Sequence, residues 1–181
     1  MLKKILLISF LMLLVALGII TKTYASGKLL YFPVLVYVEP HPKAQIVYRA
    51  FAEWNKKTNN YAKFRFVNSE KQLPHFYVRF SGDKERDLGI ERAVGLANSK
   101  TYRSTKYNVI ITIYTLHPNT DIKLSDKELY HVSLHEIGHA LGLDHTNDIN
   151  DVMYPTTQSM VQTLSEGDLK QFWSIYSLKR K

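Results

Sequence analysis

Residues 135–145 read HEIGHALGLDH. Three histidines, one glutamate and two glycines fall within this short stretch, and their spacing dictates how the chain around them must run. His135 and His139 are four apart. On a helix both imidazoles then share one face, a turn apart, near enough to hold one ion. A third ligand cannot continue the same helix, because position 145 would lie about 9 Å beyond position 139 along the axis and well round the cylinder. The chain has to leave the helix and turn back. Gly142 permits this, since glycine enters the left-handed region without a Cβ clash. His145 follows three residues later. Three imidazoles leave a fourth tetrahedral position open, which is the arrangement of a catalytic zinc rather than a structural one.

Glu136 adjoins the first of these histidines. A carboxylate there, ionised at neutral pH, can take a proton from a metal-activated water and hand it to a leaving amine. With this composition H-E-x-x-H arises by chance in about 1 in 100 such chains, and the added Gly and third His bring that to about 1 in 50,000. Coincidence is therefore a poor account of the stretch. The chain has no cysteine. Disulfides, thiolate metal sites and a cysteine nucleophile are excluded, and any metal is held by nitrogen and oxygen. Three imidazoles would also accept cobalt or copper by intrinsic affinity.

Working outward, Ser125-Asp126-Lys127-Glu128 is an S-x-x-E capping box that starts a helix through Leu129, Val132, Ile137 and Leu141. PVLVYV (33–38) alternates as a strand, and Ala44, Val47, Tyr48, Phe51 and Trp54 recur at helical spacing up to Lys57. Phe64 and Phe66 mark a second strand and HFYVRF (75–80) a third. Residues 81–107 are polar and read as a long loop with one apolar piece, VGLA (94–97). NVIITIY (108–114) reads as a strand buried on both faces. Ser165 to Asp168 can cap a last helix bearing Leu169, Phe172, Trp173 and Tyr176. The pattern is one α+β domain of sheet and helices.

The N-terminus has the layout of an export signal. Lys3 and Lys4 precede an apolar run at 5–20, and the small residues that follow allow cleavage after Ala25. The expected organisation is a signal peptide or a retained membrane anchor at 1–25 and the domain at 26–181. Either way the domain is secreted or faces the outside. The formal charge is +8, of which residues 26–181 carry +5. Lys56, Lys57, Lys63, Arg65, Arg79, Arg92, Lys100 and Lys106 are scattered along the chain, which reads as a solvated basic surface. The sharper alternative is attraction to an anionic envelope. No nucleic-acid motif accompanies the charge.

HEIGHALGLDH followed by DVMYP (151–155) resembles the metzincin zinc peptidases, and within them the matrixins and their short bacterial relatives. PVLVYV, AFAEW, FRFV, HFYVRF, VGLA, NVIITIY and LSEGDLKQFWSIY follow in the family's order, over about residues 30–178. The resemblance implies a twisted, mostly parallel sheet of about five strands with an antiparallel edge strand, an active-site helix, a Met-turn and a C-terminal helix. It implies zinc on His135, His139 and His145, Glu136 as general base, and Met153 as the Met-turn residue beneath the metal. It makes the segment around Val94 to Asn98 the edge strand that pairs with an extended substrate. The family's second zinc is not expected, because residues 81–107 contain no histidine. Asp83, Asp87 and Glu91 could hold calcium but read as a solvated turn.

Tyr154 gets no catalytic role. His131 continues the helical row, yet 131 to 139 spans about 12 Å of helix, too far to converge on one ion. His41, His75 and His117 read as surface histidines. The expectation is an exported, monomeric zinc metalloendopeptidase acting on protein or peptide. A rival is a catalytically silent zinc-binding module of the same fold.

Overall fold

The computed structural model describes residues 32–82, 95–102, 105–155 and 161–176. The export segment at 1–25 and the calcium candidates Asp83, Asp87 and Glu91 lie outside the described residues. Among the described residues no helix is long and apolar enough to cross a membrane.

The elements are β1 (Val34–Val38), α1 (Ala44–Lys57), β2 (Phe64–Val67), β3 (Phe76–Ser81), β4 (Gly95–Tyr102), β5 (Thr105–Tyr114), α2 (Asp126–Leu141) and α3 (Glu166–Tyr176). The sheet order is β2-β1-β3-β5-β4. The first four strands are mutually parallel and β4 runs antiparallel on β5. This is the mixed sheet that the resemblance implies. All these elements lie within residues 34–176.

Period-2 alternation produces the sheet's buried face. Val34, Val36 and Val38 of β1, Phe76 and Val78 of β3, and Val109, Ile111 and Ile113 of β5 are all buried. Against that face α1 lays Ile46, Val47, Ala50, Phe51 and Trp54. Helix α2 carries the densest burial, from Leu129 to Leu141. Trp54, fully buried, joins the two helices by donating its indole N–H to the Leu134 carbonyl at 3.0 Å. Side chains of this size each contribute about 1.5–3 kcal/mol through burial.

Two expectations are corrected. Residues 81–107 are not one long loop: strand resumes at Gly95, and β5 begins at Thr105 rather than 108. Polar strand residues hid it, because the register with β5 is set by backbone pairing, which leaves little pattern in the sequence. Strand β5 is also not buried on both faces. Ile110 is 42% exposed, since the helices cover only one side of the sheet.

The ends of α2 are set as its sequence indicates. Ser125 Oγ accepts from the Glu128 N–H at 3.3 Å, and the Glu128 carboxylate accepts from the Ser125 N–H at 2.7 Å. Gly142 ends the helix at φ 103°. Ser125→Ala should destabilise the fold by about 1 kcal/mol in urea titrations.

Candidate metal centre

Helix α2 brings His135 and His139 together, and the turn at Gly142 returns His145 to them. The ring centroids of the three lie 4.6, 5.2 and 4.7 Å apart. One nitrogen from each can be chosen so that all lie within 4.8 Å of one another. His139 Nε2 and His145 Nε2 are 3.1 Å apart, close to the roughly 3.3 Å between two nitrogens of a tetrahedral zinc site.

Backbone carbonyls fix which nitrogens face inward. His135 Nδ1 donates to the Val152 carbonyl at 2.7 Å, and His139 Nδ1 donates to the Leu143 carbonyl at 2.9 Å. A carbonyl only accepts, so both Nδ1 atoms carry the proton and both Nε2 atoms present lone pairs. Burial pushes His135 well below the usual imidazole range, and His139 beside it adds to the shift. Burial also lowers His145, against the pull of Asp144, although the residue is exposed. Neutral imidazoles at pH 7 are the form that binds a metal. The donor set therefore fits one ion.

Met153 is fully buried, and its segment reaches the cluster at two points. Val152 supplies the carbonyl to His135, and the Met153 carbonyl accepts from the Thr146 N–H, next to His145, at 3.0 Å. A Cβ at Gly138 would collide with Met153 Sδ, so the glycine between the two helical histidines is what lets the thioether lie beneath them.

The segment is held by Asp168. This carboxylate, fully buried, accepts from Val152 N–H at 3.0 Å, Met153 N–H at 3.1 Å and Ser165 N–H at 2.9 Å. Sequence reading saw Asp168 only as a helix cap, and nothing local reveals its reach of fifteen residues. Gly167 beside it leaves room for the Asp151 carboxylate, to which Ser165 Oγ donates at 2.5 Å.

Glu136 is 5% exposed. The Ala97 N–H of β4 donates to its carboxylate, while Oε2 has no partner. A Cβ at Gly95 would sit 2.5 Å from Glu136 Cγ, so VGLA brings a bare backbone against the acid. Burial raises its pKa to about 8, so it is mostly protonated at pH 7.

His131 stands outside the cluster. It is buried, its Nδ1 donates to the Val161 carbonyl at 2.9 Å, and its ring lies 6.4 Å from that of His135. The reading of His41, His75 and His117 as plain surface residues is corrected. All three are half-buried with partners. His41 stacks on Phe80, His75 Nδ1 accepts from the Leu35 N–H, and His117 lies 3.2 Å from Glu128.

Two outcomes follow from this geometry. Asp168→Ala leaves two turn N–H groups unpaired, at about 1–3 kcal/mol each. Urea titration should show a loss of about 3 kcal/mol, and metal titration an affinity about 10–100-fold weaker. For Glu136, a carboxyl raised from 4.5 to about 8 on folding contributes fully to stability below 4.5, and that contribution is lost as pH rises through about 8. In chelator, Glu136→Gln should melt increasingly above wild type between about pH 5 and 8. A constant offset in paired thermal melts would mean that burial does not act on this group.

Known proteins are similar to part of the chain. Interstitial collagenase of Aquarana catesbeiana is 48% identical over 44 residues, 24% of this chain and 12% of its own length. Matrilysin of Felis catus is 42% identical over 53 residues, 28% of this chain and 20% of its own length. Karilysin of Tannerella forsythia is 36% identical over 58 residues, 32% of this chain and 12% of its own length. The chain thus matches a fifth or less of the length of each of these relatives. The family model for matrixins matches residues 34–177, which take in every strand and helix of the fold. The chain belongs to the matrixin family.

Proposed function

We propose that the protein is an exported zinc metalloendopeptidase, with His135, His139 and His145 as the zinc ligands and Glu136 as the general base. The observation that carries this reading is the convergence of three imidazole nitrogens within 4.8 Å beside a buried carboxylate with one unpartnered oxygen. When bound, zinc polarises the scissile carbonyl and makes water nucleophilic at neutral pH.

Glu136 does the proton work. A dication among the imidazoles opposes the burial that raises its pKa and favours the ionised form. The Ala97 N–H then holds one carboxylate oxygen and leaves Oε2 free. That oxygen takes the proton of the attacking water and returns it to the leaving amine. Strand β4 is the last strand in the sheet order, and among the described residues no strand pairs with its outer edge, where an extended polypeptide can add. Met153 and its turn keep His135 oriented. The domain works as a monomer, and the export segment delivers it outside the cell, released or anchored.

The test is digestion of an unfolded protein, with and without a chelator, beside Glu136→Ala. Cleavage should be lost in both controls, while Glu136→Ala still binds one zinc. Cleavage by Glu136→Ala at the wild-type rate would remove Glu136 from the mechanism. A zinc-loaded protein that cuts nothing would favour a silent binding module.

A further inference from the structure

The three histidines are not held alike. His135 and His139 ride on a helix, and a backbone carbonyl fixes Nδ1 of each. His145 is exposed and sits in irregular chain beyond the helix. Its position therefore depends on what holds the backbone on either side of it.

Part of that hold is local. A helix leaves its last carbonyls without partners inside the helix. At the end of α2 the Gly142 N–H donates to the His139 carbonyl and the Leu143 N–H to the Gly138 carbonyl, each at 3.0 Å. The other part comes from α3. The Tyr176 hydroxyl donates to the Leu141 carbonyl at 2.7 Å in a buried bond across 35 residues. The Asp144 N–H, next to His145, donates to Gln171 Oε1 at 2.8 Å across 27 residues. On the far side of His145, the Thr146 N–H donates to the Met153 carbonyl. Met153 in turn is held by Asp168, also on α3. At 3.6 residues per turn, positions 168, 171 and 176 span about 140° of the helix circumference. One side of α3 thus grips the chain before His145 at two points and the turn behind it at a third.

We propose that Gln171 and Tyr176 are positioning residues for the metal centre, placing His145 through the backbone of Asp144 and Leu141. The proposal rests on the reading of His145 as a metal ligand. A ligand already held in place binds an ion without an ordering cost, whereas a released one has to be ordered at the moment of binding. The Tyr176 ring has its own support, stacked on Phe172 at 4.7 Å and 5.5 Å from Phe32. Tyr176→Phe therefore keeps the ring and removes the one donor to a buried carbonyl, which a turn relieves by shifting toward water. Gln171 acts here as an acceptor. Glutamate keeps an oxygen for the Asp144 N–H, while methionine, of similar length, offers only a weak thioether.

The test is zinc affinity of the full chain by competition with a chromophoric chelator, together with the visible absorption of the cobalt-loaded protein, which reports ligand geometry. Wild type should bind one ion and His145→Ala should bind it far more weakly. Tyr176→Phe and Gln171→Met should each weaken zinc about tenfold and alter the cobalt absorption. Gln171→Glu should bind at least as tightly as wild type. Ser125→Ala, which loosens the opposite end of α2, should change neither readout. Wild-type affinity and absorption in Tyr176→Phe and Gln171→Met would overturn the proposal and leave the ligand reading standing. A loss that Ser125→Ala shares would mean general loosening and would also overturn it, as would equal weakening by Gln171→Glu and Gln171→Met. Gln171 is half-buried, so its two variants decide the matter even if Tyr176→Phe fails to fold. Wild-type affinity in His145→Ala would sink the ligand reading itself, and this proposal with it.

Discussion

The site depends on one buried carboxylate. Asp168 receives the Val152 and Met153 N–H groups, and through that segment it fixes the carbonyl that orients His135 and the one that holds Thr146 beside His145. A buried charge persists only when hydrogen bonds replace its lost hydration. Asp168 obtains them from two turn amides and from the Ser165 N–H. Its own helix is capped by the same residues, since the Asp168 N–H donates to Ser165 Oγ at 2.9 Å. Helix end, turn and histidine cluster are thus one connected network.

Two glycines set the remaining clearances. Gly138 admits Met153 under the helix, and Gly95 admits Glu136 against β4. Each stands where a methyl group would displace a neighbour rather than merely crowd it. The effect of Gly95 on Glu136 is electrostatic as well as steric. Close backbone excludes water, which raises the carboxyl toward neutrality, while the Ala97 N–H opposes the shift only in part. The acid is thereby left responsive to charge placed among the histidines.

The sheet order separates two surfaces. At one edge β4 adjoins the histidine cluster through Glu136, and β2 forms the opposite edge, near where Phe32 packs on Tyr61 and Tyr176.

The sequence by itself determined what is local. H-E-x-x-H with a glycine stop requires a helix and a return, because helical geometry allows two ligands on one face and denies the third. The Ser125 capping box and the alternation in β1 and β3 are legible for the same reason, as each is a contact between near neighbours. Only the tertiary structure decided what long-range contact decides. Strand β4 is held by backbone pairing that leaves little side-chain pattern, and its length was hidden in a polar stretch. Asp168 looked like a cap until the fold set it under Met153. Glu136 looked like an ordinary ionised acid until Gly95 and Ala97 buried it. In each case the missing information was proximity, which a one-dimensional spacing carries only within a helix turn or a strand.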